Sequence, residues 1–168
     1  MIGRVAAALS AAVLVPAATL AAWGHLAPRE VTTSVEIAAS ADRVWAELTD
    51  FGSYPHWNPF IVSAEGEARK GATLHNRLRD TGGVMAFEPK VLAAEPGREL
   101  RWIGRAWAPG IVDGEHYFTI EPMGGGRVRL TQGERFSGAL VPVAGGLLDM
   151  ADEFAAMNAA LKARAERA

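Results

Sequence analysis

From Val31 onward, apolar and polar positions alternate in short runs. Thr33, Val35 and Ile37 interleave with Thr32, Ser34 and Glu36, the period of two that marks a half-buried strand. A helix is predicted next, capped by Ser40 or Asp42, with Val44, Trp45 and Leu48 as its apolar face up to Thr49. The aromatic stretch 50–60 follows, and its two prolines limit it to a turn or two of helix. Six strand-like runs come after it, over 61–64, 73–79, 85–94, 99–105, 115–121 and 127–136. Glu95-Pro96-Gly97-Arg98 and Met123-Gly124-Gly125-Gly126 read as hairpin turns, because Gly supplies the positive φ such turns need. The last segment reads as helix. Leu147, Met150, Phe154, Met157 and Leu161 form its stripe, and Asp149, Asp152, Lys162 and Arg164 fall off it.

This order predicts an α+β fold, a curved antiparallel sheet of about seven strands packed on one long C-terminal helix, with two short helices after the first strand. A sheet curved around a helix leaves a hollow that side chains, water or a ligand must fill. If Ile120 opposes Val128 across the Gly-rich turn, then Phe118 opposes Leu130 and His116 opposes Gln132. The even-numbered residues of both strands then share the covered face, with Phe118, Ile120, Val128, Leu130 and Phe136 apolar and His116, Gln132 and Glu134 gathered at one end. Phe87 and Val91 would join Leu100 and Trp102 on the same floor. The expected hollow is an apolar basin of about 300–1,000 Å³ with a polar cluster at its rim.

The 31–168 domain is preceded by a segment of different character. Residues 5–22 are apolar and uncharged behind Arg4, and the run is just long enough to span a bilayer. Pro16 and the small residues around Ala21 look equally like the end of a secretory signal. Residues 1–30 are therefore expected to be a cleaved signal or a single membrane anchor with a short linker. Either device places the folded part at the cell envelope, outside the cytoplasm. The chain has 168 residues, which suits one domain, and no cysteine, which excludes disulfides, thiolate metal sites and thiol nucleophiles. A net charge of −2 with no Lys/Arg run argues against nucleic-acid binding. There is no phosphate loop, nucleophile elbow or zinc motif, so neither a metal nor a cofactor is expected.

Candidate chemistry sits with His116 and Glu134. A carboxylate beside an imidazole can make a general acid or base near neutral pH. The same pair, joined by Gln132, can equally be a set of buried polar groups satisfying one another. Trp45, Phe51, Tyr54, Trp57 and Phe60 form either a secondary core or, for Tyr54, His56, Trp57 and Asn58, a gate to the hollow. Met150, Phe154 and Met157 would form its lid or simply pack on the sheet. Trp107-Ala108-Pro109-Gly110 reads as a lip or a membrane-touching edge. His75, Arg77 and Arg79 alternate with Leu74, Asn76 and Leu78, so they should face solvent and leave Asn76 to point inward.

Several blocks in order resemble the START/polyketide-cyclase-like (SRPBCC) superfamily across nearly all of 31–166. They are Val35-Glu36-Ile37-Ala38-Ala39-Ser40-Ala41-Asp42-Arg43-Val44-Trp45, Leu48-Thr49-Asp50-Phe51 with Tyr54-Pro55-x-Trp57-Asn58-Pro59-Phe60-Ile61, and Leu100-x-Trp102-x-Gly104. Gly114-Glu115-His116-x-Phe118, Gln132-x-Glu134-x-Phe136-x-Gly138 and Met157-Asn158-x-x-Leu161-Lys162 complete the set. The resemblance implies a helix-grip fold. It does not by itself assign a reaction, since that superfamily includes lipid carriers, hormone receptors and cyclases. The expected function is binding or carrying a small hydrophobic molecule, lipid or polyketide-like. Tyr54, Trp57, Asn58, Asn76, Phe87, Trp102, His116, Phe118, Gln132, Glu134, Met150, Phe154 and Met157 are its candidate lining. The alternative is a cyclase or dehydratase using His116 and Glu134. A protein-docking module with a closed hollow is a third reading.

Overall fold

The computed structural model describes residues 23–24, 28–80 and 83–167; the apolar run 5–22 lies outside them. In chain order the elements are β1 (Arg29–Ile37), α1 (Ala41–Thr49), a 3-10 turn (Phe51–His56), β2 (Ile61–Glu65), β3 (His75–Asp80), β4 (Gly83–Phe87) and β5 (Lys90–Glu95). They continue with β6 (Glu99–Ala106), β7 (Val112–Gly124), β8 (Arg127–Ser137), two short 3-10 turns and α2 (Ala151–Ala165). One sheet has the order β1-β8-β7-β6-β5 and another the order β2-β3-β4. The chain between β2 and β3 links them, since Thr73 bridges Lys90 and the Leu74 amide donates to Pro89 O at 2.9 Å. Among the described residues no helix is long and apolar enough to cross a membrane.

The alternation read from the sequence is the alternation of burial. On β7 and β8 the even-numbered Phe118, Ile120, Val128, Leu130 and Phe136 are buried together with His116, Gln132 and Glu134. Asn76 is likewise buried while His75, Arg77 and Arg79 are exposed. At the second hairpin, Gly124, Gly125 and Gly126 all take positive φ (82°, 62° and 73°), which a side chain would resist at each position.

Three local readings are corrected. The run 85–94 is two strands rather than one: Pro89 brings no N–H to a ladder, and the chain leaves one sheet at Phe87 and enters the other at Lys90. Leu147 is not on the final helical stripe. It lies in the 3-10 turn Gly145–Leu148, 88% exposed, and α2 begins only at Ala151, with Met150 at its N-cap. On α1 the buried residues are Val44, Glu47 and Leu48, the i, i+3, i+4 set, while Trp45 is only half-buried. Glu47 tolerates burial because Arg43 (2.7 Å) and Arg164 of α2 hold its carboxylate.

By packing, the chain falls into two compact units. The larger comprises Glu30–Gly104, Glu115–Glu134 and Met150–Ala168. In it the sheets wrap α2: Phe154 meets Phe60 and His116, Met157 meets Gln132, and Asn158 donates to Thr33 Oγ1 at 2.9 Å. This is the helix-grip arrangement. Phe154, Met157 and Leu161 are fully buried, each contributing roughly 1.5–3 kcal/mol of apolar transfer. The described residues of the smaller unit are 23–24, 28–29, Arg105–Gly114 and Arg135–Asp149. Its backbone is tied by Gly138 N to Gly24 O (3.2 Å) and Leu140 N to Ile111 O (3.1 Å), and its Trp107, Val143 and Leu147 side chains are exposed.

Candidate functional site

The polar cluster predicted on β7 and β8 forms. The Nδ1 atom of His116 lies 3.1 Å from Glu134 Oε2, and its Nε2 atom lies 3.2 Å from the Gln132 side-chain nitrogen. An amide nitrogen can only donate, so Nε2 accepts and the ring proton sits on Nδ1, directed at the carboxylate. All three groups are buried. The imidazole is caged as well. It stacks on Trp102, while Phe118 and Phe154 approach at 5.0 Å centroid distance. Both nitrogens are thus engaged, one ring face is stacked on Trp102, and Phe118 and Phe154 pack against the ring at steeper angles.

Gln132 carries the unfinished valence of this cluster. Its nitrogen also contacts Met157 Sδ at 3.6 Å, a weak acceptor, and its Oε1 is a buried acceptor with no partner among the described residues. Two more buried amides share that condition at an oxygen, Asn76 Oδ1 on β3 and Asn158 Oδ1 on α2. Burying an acceptor without a partner costs about 1–3 kcal/mol, so each of these oxygens is a place where a hydroxyl-bearing molecule or a water would bind favourably.

The floor around the cluster is built from two strands that the sequence reading had joined. Val91 pairs with Trp102 and Ala94 with Leu100. Phe87, which pairs with Asn76 on β3, reaches the same floor from β4: a Cβ built on Gly104 would fall 1.6 Å from its Cζ. Gly104 therefore leaves the space that the Phe87 ring occupies.

The residues read as a gate are engaged in local structure. Tyr54 is fully buried, its hydroxyl donates to Leu48 O at 2.6 Å, and its ring contacts Phe51 and Trp57 edge-on. Burial, with Asp50 adding to it, pushes the phenol well above its ordinary range, so the group stays neutral. Asn58 Oδ1 accepts from the amides of Phe60 and Ile61, fixing the entry into β2, while its Nδ2 has no partner. Trp57 is half-buried, donates to Ser53 Oγ at 3.0 Å and lies under the Arg164 guanidinium. His56 is exposed and Met150 half-buried.

Two features escaped the sequence. Asn158 entered only as part of a motif block, although it follows Phe154 at a four-residue step, which puts it on the buried stripe of α2. The Glu47–Arg164 pair joins α1 to α2 across 117 positions, and no local pattern announces such a contact.

Three solved structures share this architecture, with sequence identities at which the likeness speaks for the fold alone. An aromatase/cyclase, Zhui from Streptomyces sp. R1128, is 20% identical, with a TM-score of 0.69 over 83% of this chain and 94% of that one. A START superfamily protein from Mycobacterium smegmatis is 24% identical, with a TM-score of 0.66 over 82% and 97%. Norcoclaurine synthase from Thalictrum flavum, in complex with a transition-state analogue, is 15% identical, with a TM-score of 0.64 over 82% and 94%. No curated protein matches the chain at the level of sequence. The profile of the polyketide cyclase/dehydrase and lipid transport family matches residues 28–166, and the chain belongs to that family, a group of ligand-binding and cyclase/dehydrase-type proteins.

Proposed function

We propose that this chain binds and carries a small, largely apolar molecule that donates a hydrogen bond to the His116–Gln132–Glu134 cluster, and that it does so at the cell envelope. The observation that carries the reading is Gln132 Oε1, a buried acceptor without a partner beside an aromatic cage. A carrier needs only such an anchor and apolar walls, for which Trp102, Phe118, Phe154 and Met157 are suited. His116 then serves as a fixed support: Glu134 holds its Nδ1, and its Nε2 accepts the Gln132 amide.

A second reading, acid–base catalysis of the cyclase or dehydratase type, is favoured by the Nδ1–carboxylate contact. That contact leaves Nε2 as the atom able to exchange a proton with a substrate. Here Gln132 occupies Nε2, so the substrate would first have to displace the amide. The envelope location is supported by the apolar run behind Arg4 and by the exposed Trp107, Val143 and Leu147 of the smaller unit.

Native mass spectrometry of full-length protein taken from its own membrane fraction tests the reading. A retained small molecule that survives His116→Ala and is lost in Gln132→Leu is the expected result. Protein from that fraction with no adduct, or a Gln132→Leu variant that retains the molecule as tightly as the parent, overturns it. Turnover of an aromatic polyketone that vanishes with His116→Ala establishes the second reading instead.

A further inference from the structure

On the outer face of the β2-β3-β4 sheet the structure holds a second site, built from different residues. Ser63 pairs with Arg77, and Arg79 pairs with Val84, so these four side chains share one face. The register of β2 slips between Ile61 and Ser63, which brings the extra residue, Val62, to the same place. With Pro55 and Asn58 from the preceding turn, they line an open groove of about 340 Å³.

Among the described residues no carboxylate is paired with its two cations. Arg77 and Arg79 stand two positions apart on one strand face, roughly 7 Å along it. Among the described residues neither guanidinium has a hydrogen bond or an ion pair, whereas those of Arg43, Arg101, Arg105 and Arg164 each hold a carboxylate. Two like charges at that spacing repel each other, in a chain whose net charge is −2. A third donor waits at the wall: Asn58 is 5% exposed, and its Nδ2 has no partner while its Oδ1 is occupied. Two guanidinium forks, an amide donor and the Ser63 hydroxyl make a donor-rich set, flanked by the apolar Pro55, Val62 and Val84.

We propose that this groove binds a phosphoryl group, with the ligand's apolar part lying against Val62 and Val84. Two guanidiniums match the charge of a phosphate monoester, which carries about −1.5 to −2 at neutral pH, and their planar forks match its oxygens. A carboxylate at −1 leaves one cation unpaired. The site is independent of the His116 cluster and stands whether or not that cluster anchors a ligand, because β3 presents Asn76 to the interior and Arg77 and Arg79 to the groove.

The phosphoryl group could reach the groove as a soluble ester or as a phospholipid headgroup, and the two are distinguished by titrating ¹⁵N-labelled full-length protein with separate probes. The probes are phenyl phosphate, inorganic phosphate, benzoate, and vesicles of phosphatidylcholine with or without phosphatidic acid. The expected result is perturbation of the Arg77 and Arg79 Nε–H signals and the Ser63 and Val84 amides. It should saturate in the millimolar range or below and weaken at least about tenfold in an Arg77→Gln/Arg79→Gln double variant. Response to the soluble phosphates identifies a free ester as the source, and response only to phosphatidic acid vesicles identifies a headgroup. Both arginines are exposed, so the double variant should melt at the parent's temperature. Silence of these signals with every phosphoryl probe overturns the proposal. So does a double variant that binds as tightly as the parent, or benzoate binding as tightly as phenyl phosphate.

Discussion

The imidazole of His116 lies flat on the indole of Trp102, with centroids 4.9 Å apart and 3° between the ring planes. Stacking fixes the ring plane, and Glu134 and Gln132 fix its rotation within that plane. Together they leave one tautomer.

That tautomer can be measured. ¹⁵N imidazole spectra of the ligand-free protein should show the His116 ring proton on Nδ1, with Nε2 as the acceptor. Gln132→Leu removes the donor to Nε2 and should leave the proton on Nδ1 without unfolding the domain, because the Glu134 carboxylate can only accept. A parent protein with the proton on Nε2 would mean that the Gln132 amide points its oxygen at the ring, and the hydrogen-bond assignment would be wrong.

The contact of Phe87 with Gly104 makes a second case. Adding a Cβ at 104 forces the Phe87 ring out of its place, since 1.6 Å to Cζ and 2.4 Å to both Cε atoms leave no room. Gly104→Ala should destabilise by about 1–3 kcal/mol in denaturant unfolding, the usual cost of overpacking. In a Phe87→Ala background the same Gly104→Ala change should cost much less, because the overlapping ring is gone. An equal cost in both backgrounds would show that the ring is not what resists the methyl.

Much of the fold was legible because burial here follows short periods. The two-residue alternation on β1, β7 and β8 assigned inward faces, and it brought His116, Gln132 and Glu134 together before any coordinates did. Legibility failed where three-dimensional context outvotes the local pattern. Pro89 ends one strand and lets the chain change sheets, yet the apolar residues on either side of it read as one run. Leu147 continues a helical spacing, but Gly145 and Gly146 break the helix before Ala151. Glu47 looks like a surface residue until Arg164, far along the chain, arrives to neutralise it. The phosphoryl groove was hidden for a related reason. Exposed arginines are the ordinary outer face of a strand, and only the register with Ser63 and Val84 shows that they share a hollow.

Tyr54 supplies an alkaline test. Its phenol is fully buried and donates to Leu48 O, so the folded state holds it protonated above the ordinary value of 10.0. A pKa raised on folding gives stability that is present below the unfolded value and declines as pH rises past it. In alkaline titration followed by phenolate absorbance, the Tyr54 contribution, isolated by subtracting a Tyr54→Phe protein, should appear only with unfolding. The same variant should lose about 1–3 kcal/mol at neutral pH, since Leu48 O is left buried without its donor. Ionisation of Tyr54 near pH 10 in protein that keeps its native circular dichroism would contradict the burial described.

Glu166 supplies the acid counterpart. Its carboxylate accepts from the Ala38 amide at 2.7 Å and from Lys162 Nζ at 2.5 Å, tying the end of α2 to the residue that follows β1. The backbone hydrogen bond first, and then Lys162, hold its pKa below the ordinary carboxylate value of 4.5. A pKa lowered on folding gives stability that is present above the unfolded value and disappears as pH falls through the folded one. The carboxylate is solvent-facing, so the effect should be modest and should shrink with added salt. Thermal unfolding of the parent and of Glu166→Gln should therefore differ near pH 7 and converge as the pH falls well below 4.5. Glutamine still offers an oxygen to the Ala38 amide, so what the comparison removes is the charge. If the two melting curves keep a constant separation across that range, the carboxylate is not the group that pins the helix end.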